Sequence, residues 1–248
     1  MAIFVTGDIH GDARRFSSDN FPIGKDLTKD DYVIILGDFG LVWNKDEENK
    51  YEKNWLDWLE EKPWTTLFID GNHCNFDRLN TYTVEIWNGG RVQKIRPSVI
   101  HLMRGEIFDL QGYKFLAMGG APSHDIQDGI LEIGDPRIKE WSKNMFKMFR
   151  VNHLSWWAEE VPNAIEKENA LTNLEKVNNK VDFILTHEAP ASVINWISVF
   201  PPTEYSMWLE KNIRYCVEYK HWYFGHYHLN KDINDKETCL YEQIRRIV

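Results

Sequence analysis

The chain has 248 residues, of which 43 % are hydrophobic and 27 % charged, and it is long enough to bury a sizeable hydrophobic core. Its formal net charge of −9 argues against a protein that coats nucleic acid, because affinity for the phosphate backbone needs clustered Lys and Arg side chains. The three cysteines include no C-x-x-C pair, which predicts a reduced compartment rather than a disulfide framework.

The opening residues, MAIFVTGDIHGD, have neither a basic segment nor a long apolar stretch, so they are not predicted to be a signal peptide. No apolar run approaches the roughly 20 residues that a membrane-spanning helix needs. We therefore expect a cytoplasmic protein that does not bind a membrane.

Six short apolar runs along the chain each have about the length of a β-strand. They are rich in β-branched and aromatic residues and nearly continuous in hydrophobicity, which predicts strands buried on both faces of a sheet. They lie at residues 2–5, 32–36, 65–69, 114–118, 181–185 and 222–224.

Helical patterns separate some of these strands. They predict helices at residues 45–61, 135–160, 165–178 and 204–219. Residues 87–112 are predicted to form turns and short strands, and residues 229–248 a hairpin around Asn234-Asp235-Lys236. Because no repeat or flexible linker is visible, we predict one domain in which strands and helices are interleaved.

Five of the predicted strands are followed directly by short motifs rich in Gly, Asp and His. In chain order these motifs are G-D-I-H at 7–10, G-D at 37–38, G-N-H at 71–73, T-H at 186–187 and G-H-Y-H at 225–228. In open α/β sheets, ligands bind at the loops beyond the carboxyl ends of the strands. Carboxylate, imidazole and amide groups suit divalent ions such as Mn, Fe, Zn or Co, and the absence of thiols counts against structural zinc.

The number and spacing of these side chains indicate more than one ion. Residues two apart in an extended segment point the same way, so the pairs Asp8/His10 and His226/His228 can each bind one ion or lie across two. Seven candidate ligands are too many for one tetrahedral ion and fit two ions that share a carboxylate. They are Asp8, His10, Asp38, Asn72, His187, His226 and His228. A single such motif is usually a turn or a core histidine, but five of them together favour a metal site.

The motif order D-x-H, G-D, G-N-H, H, G-H-x-H resembles that of the calcineurin-like metallophosphoesterase superfamily, from Asp8 to His228. This resemblance implies an α/β (α+β) fold, a four-layer sandwich of two mixed β-sheets flanked by helices. It also implies a dinuclear metal site at the carboxyl ends of the strands. We expect a single metallophosphoesterase domain over residues 1–248, with a helical insertion at about 135–178.

The resemblance also implies a role for each motif residue. By motif, Asp8, His10 and His228 would bind the first metal, Asn72, His187 and His226 the second, and Asp38 would bridge the two. His73 matches the histidine that acts as general acid or binds the phosphoryl group. The expected cofactors are two divalent ions, Mn²⁺ first, with Fe, Zn, Co or Ni as alternatives. The expected reaction is hydrolysis of a phosphomonoester or phosphodiester by a hydroxide that bridges the metals.

Some positions depart from the superfamily pattern. Leu41 replaces the second acid of the block G-D-x-x-D, and Cys74 replaces the acid that usually follows G-N-H. The protein Ser/Thr phosphatases of the superfamily continue these motifs as G-D-x-V-D-R-G and R-G-N-H-E, and their arginines bind the phosphoprotein. This chain has Gly40 in the first motif and Asp70 before Gly71 in the second, and those arginines are absent. The expected partner is therefore a phosphate ester of a small molecule or nucleotide.

A further loop, residues 118–125, also follows a predicted strand. Its Ser123 and His124 are candidate substrate contacts, although the loop could equally be an ordinary connection. Two rival functions stay open. A nuclease or nucleotide phosphodiesterase would use the same fold, but the net charge does not favour nucleic acid. A non-catalytic metal-binding scaffold is less favoured, because the whole ligand set and His73 are present.

Overall fold

Two large mixed β-sheets form the centre of the structure, a computed structural model that describes residues 1–248. The strands are Ile3–Thr6 (β1), Tyr32–Leu36 (β2), Thr65–Ile69 (β3), Val84–Trp87 (β4), Gly90–Arg96 (β5), Val99–Leu102 (β6), Glu106–Leu110 (β7), Tyr113–Met118 (β8), Gly129–Leu131 (β9), Phe149–Val151 (β10), Phe183–Thr186 (β11), His221–Phe224 (β12), Lys231–Asn234 (β13), Glu237–Cys239 (β14) and Arg245–Arg246 (β15). The first sheet has the order β15-β1-β2-β3-β6-β5-β4 and the second β13-β14-β12-β11-β8-β7, while β9 and β10 pair separately.

Helices lie between the strands. They are Lys50–Glu60 (α1), Phe76–Leu79 (α2), Arg137–Trp141 (α3), Ala164–Lys176 (α4), Ala191–Ile197 (α5) and Glu204–Leu209 (α6). Single 3₁₀ segments cover Ala13–Phe16, Pro22–Asp26 and Ala158–Glu160, and a π-helical turn over Glu210–Arg214 continues α6. None of the helices has both the length and the apolar character needed to cross a membrane.

Alternate residues of the central strands bury opposite faces of each sheet. In β2, Ile34 packs between the sheets against the core that includes Phe115 of β8, whereas Val33 belongs to the core that includes Leu56 of α1. The far face of the second sheet packs against α4 and α6, with Ile184 of β11 in that third core. The order of layers is helix, sheet, sheet, helices, which confirms the predicted fold class.

All six predicted strands form, with ends within two residues of the predicted ones, and the predicted tail hairpin forms as β13 and β14. The prediction of one helix over residues 135–160 is wrong. The only α-helix in this range is α3, and Phe149–Val151 instead forms a strand that pairs in parallel with Gly129–Leu131. This aromatic and β-branched segment favours a strand once a partner is available, which overrides the local helical pattern.

Helix α1 begins five residues later than predicted, at Lys50, because a capping box fixes its first turn. The Asn49 side chain accepts the backbone N–H of Glu52, and the Glu52 carboxylate accepts the backbone N–H of Asn49. Such reciprocal bonds satisfy two of the amide donors that a helix leaves unpaired at its start.

The parallel strands bring the predicted metal motifs to one place. Strands β1, β2 and β3 run parallel in the first sheet, and β8, β11 and β12 run parallel in the second. Parallel neighbours end at the same edge of a sheet. The loops after β1, β2, β3, β11 and β12 therefore converge where the two sheets meet.

Candidate metal centre

The structure brings all seven predicted ligand residues together. Five of them form two overlapping clusters, and Asn72 and His226 lie beside His187. The outer cluster consists of Asp8, His10 and His228, and the inner cluster of Asp8, Asp38 and His187. Within each cluster, the oxygen and nitrogen atoms that could bind an ion all lie within 4.8 Å of one another. Asp8 belongs to both clusters, so the two are adjacent.

The outer cluster is open to solvent on its histidine side. The Asp8 Oδ2 atom lies 3.2 Å from His228 Nε2 and 3.8 Å from His10 Nε2. The two Nε2 atoms are 2.9 Å apart. Asp8 itself is fully buried, while both imidazoles are partly exposed. One carboxylate oxygen and two ring nitrogens therefore converge on a point that solvent can reach.

The inner cluster is buried, and the Asn72 amide lies beside it. His187 Nδ1 lies 2.7 Å from the carbonyl oxygen of Leu36, which can only accept, so Nδ1 carries a hydrogen. In a neutral ring, Nε2 then presents a lone pair. Nε2 lies 3.2 Å from Asn72 Oδ1 and 3.4 Å from Asp38 Oδ1. Three electron-pair donors then face one another, an arrangement that either a proton on Nε2 or a bound metal ion stabilises.

Two carboxylates lie between the histidines of the two clusters. Asp8 Oδ1 lies 3.8 Å from His187 Nδ1, while its Oδ2 faces the outer cluster. Asp38 Oδ1 faces His187, while its Oδ2 lies 3.9 Å from His10 Nδ1. Backbone N–H groups of His226 and His73 donate to Asp8 Oδ1 and Asp38 Oδ1 at 3.0 and 2.8 Å, which fixes both carboxylates in place.

Two atoms in the centre are buried without a hydrogen-bond partner, namely Asp8 Oδ2 and His226 Nε2. Leaving a buried polar group unpaired costs about 1–3 kcal/mol, and more when the group is charged. Burial also lowers the pKa of His226 well below its usual value, which keeps the ring in the neutral form that binds metals. A carboxylate oxygen and a neutral imidazole left unpaired in this way fit divalent metal ions.

The carboxylates make the electrostatic potential in the centre negative. Burial lowers the pKa of His187, but the carboxylates of Asp38 and Asp8 outweigh burial and raise that pKa to about 10. Burial would raise the pKa of Asp38, yet the neighbouring imidazoles, His187 foremost, keep it well below its usual range. The same field that favours a proton on His187 also favours divalent cations.

Four of the seven predicted ligands have a left-handed backbone conformation. The φ angles are 45° at His10, 44° at Asp38, 68° at His226 and 50° at His228. Such conformations cost about 1–3 kcal/mol for a residue with a side chain and are concentrated at functional sites. The strain is retained here because these turns aim the side chains into the centre.

Gly37 allows the two sheets to approach each other at the centre. Its φ is +96°, and a Cβ atom built there would lie 2.1 Å from His187 Nδ1. Only glycine fits this position, because any side chain would displace the imidazole of the inner cluster.

A cavity of about 260 Å³ opens beside the clusters. His73 lines it, with its ring centroid 5.5 Å from that of His10 and 5.8 Å from that of Trp43. His124 also lines it and stacks on Phe200, with the ring centroids 4.3 Å apart and an angle of 2° between the ring planes. The cavity can accept a small ester beside His73 and the predicted ligands.

Ser123 does not line this cavity, unlike its neighbour His124. It is buried, donates its hydroxyl hydrogen to Glu160 and accepts a hydrogen bond from Asn72. The structure therefore places Ser123 behind a predicted ligand.

The sequence did not point to three further residues of the cavity wall, namely Asp125, Met148 and Phe200. Asp125 could have been found, since it directly follows His124 in the loop already selected. Met148 and Phe200 belong to no recognisable motif. They reach the cavity only because the tertiary fold brings distant segments of the chain together.

A family model described as calcineurin-like phosphoesterase matches residues 1–230 of the chain. The match includes all seven predicted ligands, His73 and every strand of the two sheets except those of the tail. It confirms the resemblance that the five motifs indicated. The comparison with curated proteins finds no match.

Proposed function

Because the chain belongs to the calcineurin-like phosphoesterase family, we propose that it hydrolyses a phosphomonoester or phosphodiester with two divalent metal ions held at the candidate metal centre. The observation that carries this proposal is a pair of buried carboxylates between the histidines. Asp8 belongs to both clusters, and the two oxygens of Asp38 lie 3.4 Å from His187 Nε2 and 3.9 Å from His10 Nδ1. The unpaired atoms of Asp8 and His226 support it further.

We assign the first ion to the outer cluster and the second to His187 with its neighbours. Asp8, His10 and His228 hold the first ion, Asn72, His187 and His226 hold the second, and Asp38 is shared. The oxygen and nitrogen donors favour Mn²⁺, with Fe, Zn, Co or Ni as alternatives. Divalent ions bound there supply Lewis-acid activation of water and of the phosphoryl group.

His73 is the residue that we propose to act on the leaving group. Its ring lines the cavity, and its backbone N–H holds Asp38 at 2.8 Å. Burial lowers the pKa of His73, although Asp38 opposes this effect. A neutral ring keeps one N–H, which can donate a hydrogen bond to the phosphoryl group, and a protonated ring can transfer a proton to the leaving oxygen.

We propose a small molecule or a nucleotide as the substrate. The cavity volume of about 260 Å³ suits a small ester, and the net charge of −9 disfavours long nucleic acids. A nucleotide phosphodiesterase is the second candidate. It is favoured by the stacked rings of His124 and Phe200, which give the cavity wall a planar aromatic surface.

We also propose that residues 1–248 act as one metallophosphoesterase domain and that residues 135–178 are an insertion forming one wall of the site. Met148 from this segment lines the cavity, and Glu160 binds Ser123 behind Asn72. Both contacts support a role for the segment in the site.

The test is a screen of esters against the metal-free chain reconstituted with Mn²⁺. p-Nitrophenyl phosphate and its bis-ester are compared, with His153→Ala as a control because His153 is exposed and lies outside the centre. Turnover of the monoester alone identifies a phosphatase, and turnover of the bis-ester a phosphodiesterase. Bound ions without hydrolysis of either ester would contradict the proposal and favour a metal-binding scaffold.

A further inference from the structure

A buried chain of hydrogen bonds lies directly behind Asn72. The Asn72 Nδ2 atom donates to Ser123 Oγ at 3.2 Å, and Ser123 Oγ lies 2.7 Å from Glu160 Oε2. The backbone N–H of Ser123 donates to the other carboxylate oxygen of Glu160 at 2.8 Å. Glu160 is only 2 % exposed, so its carboxylate has been removed from water to make these contacts.

The direction of every bond in this chain is determined by what each group can do. A carboxylate can only accept, so the single hydroxyl hydrogen of Ser123 goes to Glu160. The Ser123 oxygen can then only accept from Asn72, which requires the NH₂ group of the amide. The amide oxygen of Asn72 must therefore point the opposite way, toward His187 Nε2 at 3.2 Å.

We propose that Ser123 and Glu160 are positioning residues for the second metal ion, because they fix the Asn72 amide so that its oxygen faces the inner cluster. This inference rests on the proposed function, in which Asn72 is a ligand of that ion. An asparagine amide can turn by half a rotation at little steric cost, and it would then present two N–H groups to a cation. The charged acceptor at the end of the chain prevents this turn.

Glu160 is itself held by a second set of buried contacts. Arg104 donates to the backbone carbonyls of Glu159 and Glu160 at 2.7 and 3.4 Å, and its Nε donates to Asp70 at 2.7 Å. Asp70 lies two residues before Asn72 in the same loop. The Arg104 guanidinium therefore connects the segment that carries Glu160 to the loop that carries Asn72. This contact holds the two ends of the hydrogen-bond series at a fixed distance from each other.

This arrangement assigns a role to the segment between β8 and β11. Glu160 ends the 3₁₀ turn Ala158–Glu160, far along the chain from the five motifs, yet its carboxylate determines the polarity of a ligand. Residues that orient metal ligands typically alter metal affinity 10–100-fold when they are changed.

The experiment compares Mn²⁺ binding to the wild-type chain and to four variants by calorimetry, with thermal unfolding of each metal-free protein measured alongside. In Glu160→Gln, the new NH₂ group donates to Ser123 Oγ, so the hydroxyl hydrogen is released and can donate to the Asn72 oxygen when the amide turns. Ser123→Ala removes the acceptor outright. Ser123→Thr keeps the hydroxyl, and Glu159→Gln changes a neighbouring exposed acid whose side chain takes no part.

We expect two ions in the wild type, in Ser123→Thr and in Glu159→Gln. In Glu160→Gln and Ser123→Ala, we expect one ion at wild-type affinity and a second ion bound about 10–100-fold more weakly. A purely structural role would lower the unfolding temperature of these two variants without separating the affinities of the two ions. Two ions bound at wild-type affinity in both variants would overturn the positioning role of Ser123 and Glu160 alone. A wild-type chain that binds fewer than two ions would overturn the proposed function and this positioning role with it.

Discussion

Replacement of His73 by alanine tests the role assigned to its ring. The structure separates the ring from the ligand set, because His73 contacts Asp38 through its backbone N–H, at 2.8 Å, and alanine keeps that group. The ring itself lies in the cavity wall beside Trp43 and His10. His73→Ala should therefore retain both ions and lose only the donor that faces the ester.

The expected loss is that of a positioned proton or hydrogen-bond donor, about 10²–10⁴-fold in kcat. This corresponds to about 2.7–5.4 kcal/mol in the activation barrier, at 1.36 kcal/mol for each factor of ten. The loss should depend on the leaving group. An alkoxide needs a proton as it leaves, so an alkyl ester should lie near the upper limit. Nitrophenolate is stable without a proton, so a nitrophenyl ester should lie near the lower limit.

The assay measures kcat for nitrophenyl and alkyl esters of the same phosphate class, with metal content determined on the same samples. His153→Ala is the control, since that histidine is exposed and pairs with Asp77, and neither residue lines the cavity. Full activity in His73→Ala would refute the role, and loss of bound metal would refute the separation of ring from ligand set. An equal loss for both leaving groups would assign His73 to phosphoryl binding rather than to proton transfer.

Three further predictions concern the centre and its supporting core. Asp38→Asn should bind both ions poorly, because one charge shared by the two clusters is lost, and elemental analysis that finds two tightly held ions would contradict this. Gly37→Ala should lose more stability in urea than the control Gly134→Ala. The two glycines have similar φ angles, +96° and +93°, but only an added Cβ at Gly37 would have the His187 imidazole within 4 Å. The control should lose about 1–2 kcal/mol from backbone strain alone. Ile34→Ala, at a fully buried position between the sheets, should cost about 2–5 kcal/mol, whereas Ile86→Ala, at 74 % exposure, should cost less than about 0.5 kcal/mol.

The strands and the family could be predicted from the sequence because their signals are local. Strands such as β2 and β3 are continuous apolar runs, and their ends coincide with the predicted residues 32–36 and 65–69. The motifs after them need no partner to be recognised, since parallel strands deliver them to one edge. Local signals were therefore sufficient for these strands and for the motifs that converge at the candidate centre.

The features that the sequence could not reveal depend on contacts between distant segments. Glu160 approaches Ser123 only after the chain has passed through β9, α3 and β10, and nothing around Glu160 distinguishes it from exposed glutamates. Phe200 reaches His124 in the same indirect way. The predicted helix over residues 135–160 was wrong for a related reason, since β10 forms only because β9 lies beside it.

The most direct test of the proposed dinuclear phosphoesterase is a titration of the metal-free chain with Mn²⁺, followed by bound ions per chain and by hydrolysis of bis(p-nitrophenyl) phosphate and p-nitrophenyl phosphate. We predict no turnover without metal, binding of two ions per chain, and activity toward at least one ester that rises with occupancy of the second site. Saturation by a single ion, or two bound ions with neither ester hydrolysed, would contradict the account.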